Sequence, residues 1–176
     1  RPPGMHLLRC RPRNADPPGA DHRMEINSEV ITTAPRAAAT VVMLRDGEAG
    51  LEVFLIRRHG QSDVLGGAYV FPGGKLDDAD ATIDPGSHLD RAPEALQVAL
   101  GEPETDPRTA MALHVAAVRE AFEESGILFA TDRSGRMAHP AEHPPPAAGV
   151  PFGQWLERQQ WRIASRELVP WTRWIT

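Results

Sequence analysis

Glu120, Glu123 and Glu124 place three carboxylates at spacings of three, four and one in the run Arg119-Glu120-Ala121-Phe122-Glu123-Glu124-Ser125-Gly126-Ile127. The run closes what reads as a long helix. Acidic side chains there oppose the negative end of the helix macrodipole, at roughly 0.3–1 kcal/mol each in the last turn. Two such carboxylates about 6 Å apart, at an effective dielectric near 20, repel by roughly 2–3 kcal/mol before salt screening. Arg119 alone is too little cation for three of them. A divalent metal ion, which takes hard oxygen ligands, is the economical counter-charge.

The element that must carry these groups is a helix over 106–125, with Pro107 suited to its first turn and Gly126 to the position just past its end. Met111, Val115, Val118 and Phe122 recur at steps of four, three and four and form one apolar stripe. The glutamates project from the other side. An isolated E-x-x-E-E is commonly a solvated acidic face. Here Leu113, Ala116 and Ala117 line the glutamate side one to two turns earlier, so the helix is expected to be covered on both sides and its carboxylates to lie in a cleft.

A second piece lies upstream, at Gly67-Ala68-Tyr69-Val70-Phe71-Pro72-Gly73-Gly74. Tyr69 to Phe71 reads as a short strand, stopped by Pro72 and turned by the glycine pair. Paired glycines permit φ > 0 and let backbone approach a ligand or present a carbonyl to a metal. Alone, P-G-G is an ordinary turn.

Together the two pieces resemble the box of the Nudix hydrolase family, G-x5-E-x7-R-E-U-x-E-E-x-G-U, where U is a bulky apolar residue. Arg119, Glu120, Glu123, Glu124, Gly126 and Ile127 match its second half, with Ala121 as a small U. The first half starts at Gly74, and Asp80 stands where the family has glutamate. Between Asp80 and Arg119 lie 38 residues in place of seven, an insertion of 31. Such an interrupted box, with F-P-G-G followed by aspartates, is similar to a subgroup of Nudix proteins that are acyl-CoA diphosphatases. Gly67 to Gly74 also resembles part of a coenzyme A-associated Nudix motif, more loosely echoed upstream by Leu55-Ile56-Arg57-Arg58.

The resemblance implies an α/β (α+β) fold, a mixed β-sheet sandwiched between helices. It also implies metal-dependent hydrolysis of a diphosphate linked to a larger group, with Mg²⁺ or Mn²⁺ as cofactor. Glu120 and Glu124 are the expected principal metal ligands, Glu123 a further one, and the Gly74 carbonyl another. Arg119 would orient a box glutamate, and Glu120 would act as general base. Arg57, Arg58 and Gly73 are the expected substrate contacts; the arginines equally suit a strand edge kept soluble. Asp77 and Asp80 read as turn or surface aspartates, with an extended metal site as the alternative. His114 reads as a satisfied, semi-buried helix residue.

The substrate implied is coenzyme A or acyl-CoA, giving 3′,5′-ADP and (acyl)phosphopantetheine. Alternatives are a Nudix diphosphatase for ADP-ribose, a dinucleotide or a nucleotide sugar, and an inactive Nudix-fold binding module.

Composition agrees with one domain of ordinary core size: 176 residues, 41% hydrophobic. A net charge of −5 gives no basic surface for nucleic acid. The lone Cys10 excludes an intrachain disulfide framework. No apolar run reaches membrane-spanning length. The expectations are a cytoplasmic location, a small-molecule substrate and no nucleic-acid or membrane partner, with a homodimer left open.

Along the chain, 1–33 reads as a non-domain or disordered leader and 34–176 as the domain, with an insertion at about 81–105. Strands are expected over 37–44, 51–57 and 127–130, the first two joined by a five-residue turn at 46–50. Helices are expected over 93–100 and 152–161, a Pro/Gly-rich loop over 132–151, and a last strand over 168–175 broken by Pro170. The resemblance implies a further strand and a covering C-terminal helix beyond that point. The expectation is therefore either a shortened domain or a sheet face covered by Trp171 and Trp174.

Overall fold

A computed structural model describes residues 6–9, 34–58, 67–139 and 145–173. In order the elements are β1 (His6–Arg9), β2 (Ala38–Thr40), β3 (Leu44–Gly47), β4 (Gly50–Arg57), β5 (Tyr69–Val70), β6 (Gly73–Lys75), α1 (Pro85–His88), α2 (Pro93–Leu100), α3 (Pro107–Ser125), β7 (Ala130–Thr131), α4 (Phe152–Gln159) and β8 (Arg162–Ile163). Short 3₁₀ turns occupy Asp78–Thr82 and Ser165–Glu167. β4 is flanked by β1 and β3 and pairs at its far end with β5; β2 pairs with β6, and β7 with β8. All these ladders are antiparallel, and the fold is α+β.

β1 falls within the stretch read as a leader; the rest of 1–33 lies outside the described residues, as do 59–66, 140–144 and 174–176. The β3–β4 hairpin is tighter than expected. Gly47 still pairs with Gly50, so only Glu48 and Ala49 form the turn, and Gly50 supplies the positive φ of 117°.

The long helix is the centre of the domain. Asp106 caps it through its carboxylate on the Thr109 N–H, Pro107 opens it, and Gly126 closes it in the left-handed conformation at φ 74°. Its predicted stripe, Met111, Val115, Val118 and Phe122, enters a core with Leu89, Leu96 and Leu156. Phe122 stacks on Trp155 with ring centroids 4.9 Å apart, which docks α4 onto α3. The opposite side is covered too: Ala121 packs with Val41, Met43 and Phe54, and Ala117 lies against them. A helix wedged between two apolar layers cannot roll, so the directions of its last-turn side chains are set by the core.

The insertion at 81–105 carries α1 and α2, with α2 laid on α3. Asp90, just before α2, ties this insertion to the far end of the chain. Its carboxylate accepts from the Ser165 N–H at 2.9 Å, from the Ser165 hydroxyl and from the Arg166 N–H at 3.2 Å, while Arg91 Nε donates to the Ser165 hydroxyl at 3.1 Å. Ser165 is fully buried, and this clamp had no signature in the sequence.

The expected last strand does not form over 168–173. Leu168 packs on the core, but Val169 and Trp171 are exposed, Trp171 by 92%. Pro170 removes a ladder donor, which disfavours strand there. Trp171 therefore covers no sheet face, and Trp174 lies outside the described residues. No helix among the described residues is long and apolar enough to cross a membrane.

His114 departs from its reading as a satisfied helix residue. It is buried on α3, with Nδ1 2.8 Å from the Ala110 carbonyl and Nε2 without a partner among the described residues. Burial pushes its pKa below the usual 6.5; Arg91 adds to this, against the Ala110 bond and Asp90. The unfolded chain thus protonates first as pH falls through about 6.5, so this group's contribution is intact above that pH and is lost below it. His114→Leu should be neutral or stabilising at pH 7.5, since an orphaned buried donor or acceptor costs about 1–3 kcal/mol. It should also flatten the acid-side loss of stability between pH 7 and pH 5 in urea unfolding; an unchanged slope would contradict this assignment.

Candidate active site

Three segments meet at the end of α3: the glycines of β6, the 3₁₀ turn that follows, and the last turns of the helix. Arg119 is the hub. Its Nε donates to Asp80 Oδ1 at 2.9 Å and Nη2 to Asp80 Oδ2 at 3.0 Å; Nη2 also reaches the Lys75 carbonyl at 3.0 Å. Nη1 donates to Glu120 Oε1 at 2.8 Å and to Glu123 Oε2 at 3.2 Å. A guanidinium has five N–H groups, and these five bonds use all of them. Burial works against the charge, but the bonds and charges of Asp80, then Glu120, outweigh it and hold Arg119 more firmly protonated than usual.

This overturns the reading of Asp80 as a turn or surface aspartate. Its side chain is 2% exposed, forked against Arg119, and Oδ2 also accepts the Asp77 N–H at 2.9 Å. Asp77 does stay exposed, 3.8 Å from Arg119. The insertion loops out between the two partners and returns the arginine to the aspartate, so the spacing in sequence hides a contact that closes in space.

The glycine pair serves packing rather than a left-handed turn, for neither Gly73 nor Gly74 has positive φ. Any Cβ on Gly73 would stand 2.5 Å from the Ala39 carbonyl oxygen of β2. On Gly74 it would stand 2.3 Å from Glu120 Oε1. Real Cβ atoms do not approach this closely, so Gly74 is the floor under the Glu120 carboxylate. Gly74 also pairs with Ala39, between the bonded pairs Val41–Pro72 and Leu76–Ala37. The alternation of an antiparallel ladder makes it a bonded pair and commits one acceptor position of its carbonyl.

Glu124, the third carboxylate, accepts the Gly73 N–H at 2.9 Å. Gly73 thus positions a glutamate. Glu123 is half-exposed, and burial, Glu120 and Asp77 raise its pKa against the pull of Arg119. Four carboxylates (Asp77, Asp80, Glu120 and Glu123) surround one guanidinium, and Glu124 adds a fifth negative charge on the same helix end, leaving a strong excess of negative charge.

Among the described residues, no three His, Cys, Asp or Glu side chains stand close enough together to form a ready-made metal cage. Glu120 accepts from the Arg119 guanidinium and Glu124 from the Gly73 N–H. The donors are all hard oxygens on a fixed helix end, which suits the chemistry of Mg²⁺ or Mn²⁺.

Arg57 and Arg58 lie at the far end of β4. Arg57 sits over the Tyr69 ring at 5.9 Å and reaches the Gly67 carbonyl at 3.4 Å; the Arg58 N–H donates to the Ala68 carbonyl at 2.9 Å. Both therefore adjoin the segment that runs into the glycines.

No protein-family model matches the chain. Human acyl-coenzyme A diphosphatase NUDT19 is 31% identical over 131 residues, covering 62% of this chain and 35% of that protein. A crystal structure of a Nudix hydrolase from Alicyclobacillus acidocaldarius superposes with a TM-score of 0.53 at 27% identity, covering 76% of this chain and 58% of that one. The chain thus spans about a third of the human relative and somewhat over half of the bacterial one. A similar fold, these identities and the rejoined halves of the interrupted box agree: the chain is similar to Nudix hydrolases and, among them, resembles an acyl-CoA diphosphatase.

Proposed function

We propose that this domain hydrolyses a diphosphate bond in a nucleoside diphosphate joined to another group, with coenzyme A or an acyl-CoA as the substrate. The observation that carries the reading is the saturated Arg119, which gathers Asp80, Glu120 and Glu123 at one helix end beside Glu124. A guanidinium with no spare donor does not grip substrate. It positions carboxylates.

In this mechanism Glu120 and Glu124 would hold Mg²⁺ or Mn²⁺, with Glu123 and the free acceptor position of the Gly74 carbonyl completing the donor set. The bound ion would supply neutralisation of the diphosphate charge and a lowered pKa for water. Arg119 keeps Glu120 on the floor made by Gly74, and Gly73 holds Glu124. Glu120 takes the proton of the attacking water. One P–O bond forms, the bridging P–O bond breaks, and the departing phosphate leaves with that oxygen. Coenzyme A would yield 3′,5′-ADP and 4′-phosphopantetheine. Arg57 and Arg58 would bind outlying phosphate.

A panel of free CoA, an acyl-CoA, ADP-ribose, NADH and a diadenosine polyphosphate, assayed with Mg²⁺ or Mn²⁺, tests this reading. Release of 3′,5′-ADP from CoA is the expected result. Turnover of the other diphosphates alone would reassign the substrate, and ligand binding without any turnover would make the domain a binding module.

A further inference from the structure

α3 covers one face of the sheet around β4, and the other face is uncovered among the described residues. Side chains alternate along a strand. Phe54 and Ile56 turn toward α3 with Val41 and Met43, while Leu51, Val53, Leu55 and Arg57 turn away. The β3–β4 register sets Asp46 opposite Leu51 and Leu44 opposite Val53. The Phe54 N–H bond to the Met43 carbonyl continues it, which sets Val42 opposite Leu55. On β5, Tyr69 stands opposite Arg57. Val42, Leu44 and Leu51 are more than half exposed, and Tyr69 is exposed as well. Val53 and Leu55 join neither core layer. A contiguous apolar stripe of this kind, unlike single exposed leucines, marks an interaction surface.

Opposite charges close the two ends of the stripe. Asp46 lies level with Leu51, and Arg57 follows six residues further along β4, about 20 Å away. Neither makes an ion pair among the described residues; Arg57 meets the Gly67 carbonyl and the Tyr69 ring. The stripe is therefore complementary to itself. A two-fold axis crossing the strands at the level of Phe54 lays the aliphatic side chains of two copies together. The same rotation brings each Asp46 to the other copy's Arg57. An axis along the strands would stack like charges instead. We infer that this face binds a second copy of the chain in the antiparallel arrangement, with two Asp46–Arg57 pairs at its rim. One carboxylate engages two of a guanidinium's five N–H groups, so Arg57 keeps donors for an outlying phosphate. A patch of roughly a few hundred Å² is at the low end of interface sizes, so the dimer is a weak one. The inference stands apart from the diphosphatase reading.

Sedimentation velocity of the full chain at rising concentration, up to about 300 μM, tests it. The parent should shift reversibly from monomer toward dimer. Leu44→Asp should weaken the dimer at least tenfold by setting a charge in the apolar stripe. Asp46→Arg and Arg57→Asp should each do the same, because each sets like charges together at the rim. All three positions are exposed, so the variants should fold. An equal mixture of Asp46→Arg with Arg57→Asp should regain the parent's dimer, since every rim contact then joins opposite charges across two chains. A parent that stays monomeric throughout overturns the inference. So does association that passes beyond two copies, that Leu44→Asp leaves unchanged, or that the mixture fails to restore.

Discussion

Glu124→Gln and Glu120→Gln should each lower Mg²⁺- or Mn²⁺-dependent diphosphate hydrolysis by about two orders of magnitude or more, since each removes a charge that holds the ion and with it the ion's work on the transition state. The fold should survive. A glutamine oxygen at 124 still accepts the Gly73 N–H, and one at 120 still accepts from Arg119 above Gly74. Neither change opens a cavity, and each relieves repulsion among the carboxylates. Unfolding midpoints close to that of the parent, together with collapsed turnover, would separate chemistry from stability. Turnover at the parent rate in both variants would remove the metal assignment.

Asp80→Ala should have the largest effect on stability. It strips Arg119 of its fork partner, leaving Nε and one Nη2 hydrogen of a side chain only 8% exposed without acceptors. Removing one partner of a buried ion pair typically costs about 3–5 kcal/mol, and the surviving bonds to Glu120 and Glu123 place the expected loss near 3. The Asp77 N–H also loses its acceptor. Urea unfolding should show the loss as a lower midpoint at an unchanged slope. A change below about 1 kcal/mol would mean that the pair is not the anchor of the site.

These expectations show what was legible in the residues. The helix and its caps followed from Asp106, Pro107 and Gly126, and its two covered sides from the stripe through Phe122 and from Leu113, Ala116 and Ala117, of which Leu113 stays half-buried outside both core layers. α2 appeared within the expected 93–100. Local chemistry was enough for all of these. The Asp80–Arg119 pair was not legible in the same way, because a contact across 38 intervening residues depends on how the insertion packs. Nothing in the spacing of Asp90 and Ser165 announced their clamp either. The left-handed turn expected of the two glycines does not occur, whereas the close approach does: β2 packs against Gly73 and the Glu120 carboxylate against Gly74.

Strand content failed where side-chain preference and backbone supply disagree. Leu168 to Ile175 is rich in strand formers, yet Pro170 interrupts the donors, and residues 168–173 stay irregular.

Hydrolysis by this domain requires a dication held by the end of α3. Calorimetric titration of the full chain with Mn²⁺ at pH 7.5, beside Glu120→Gln and Glu124→Gln, addresses it without reference to any substrate. Saturable binding by the parent, weakened at least tenfold in each variant, is the predicted result. No binding by the parent, or equal affinity in all three proteins, would contradict it.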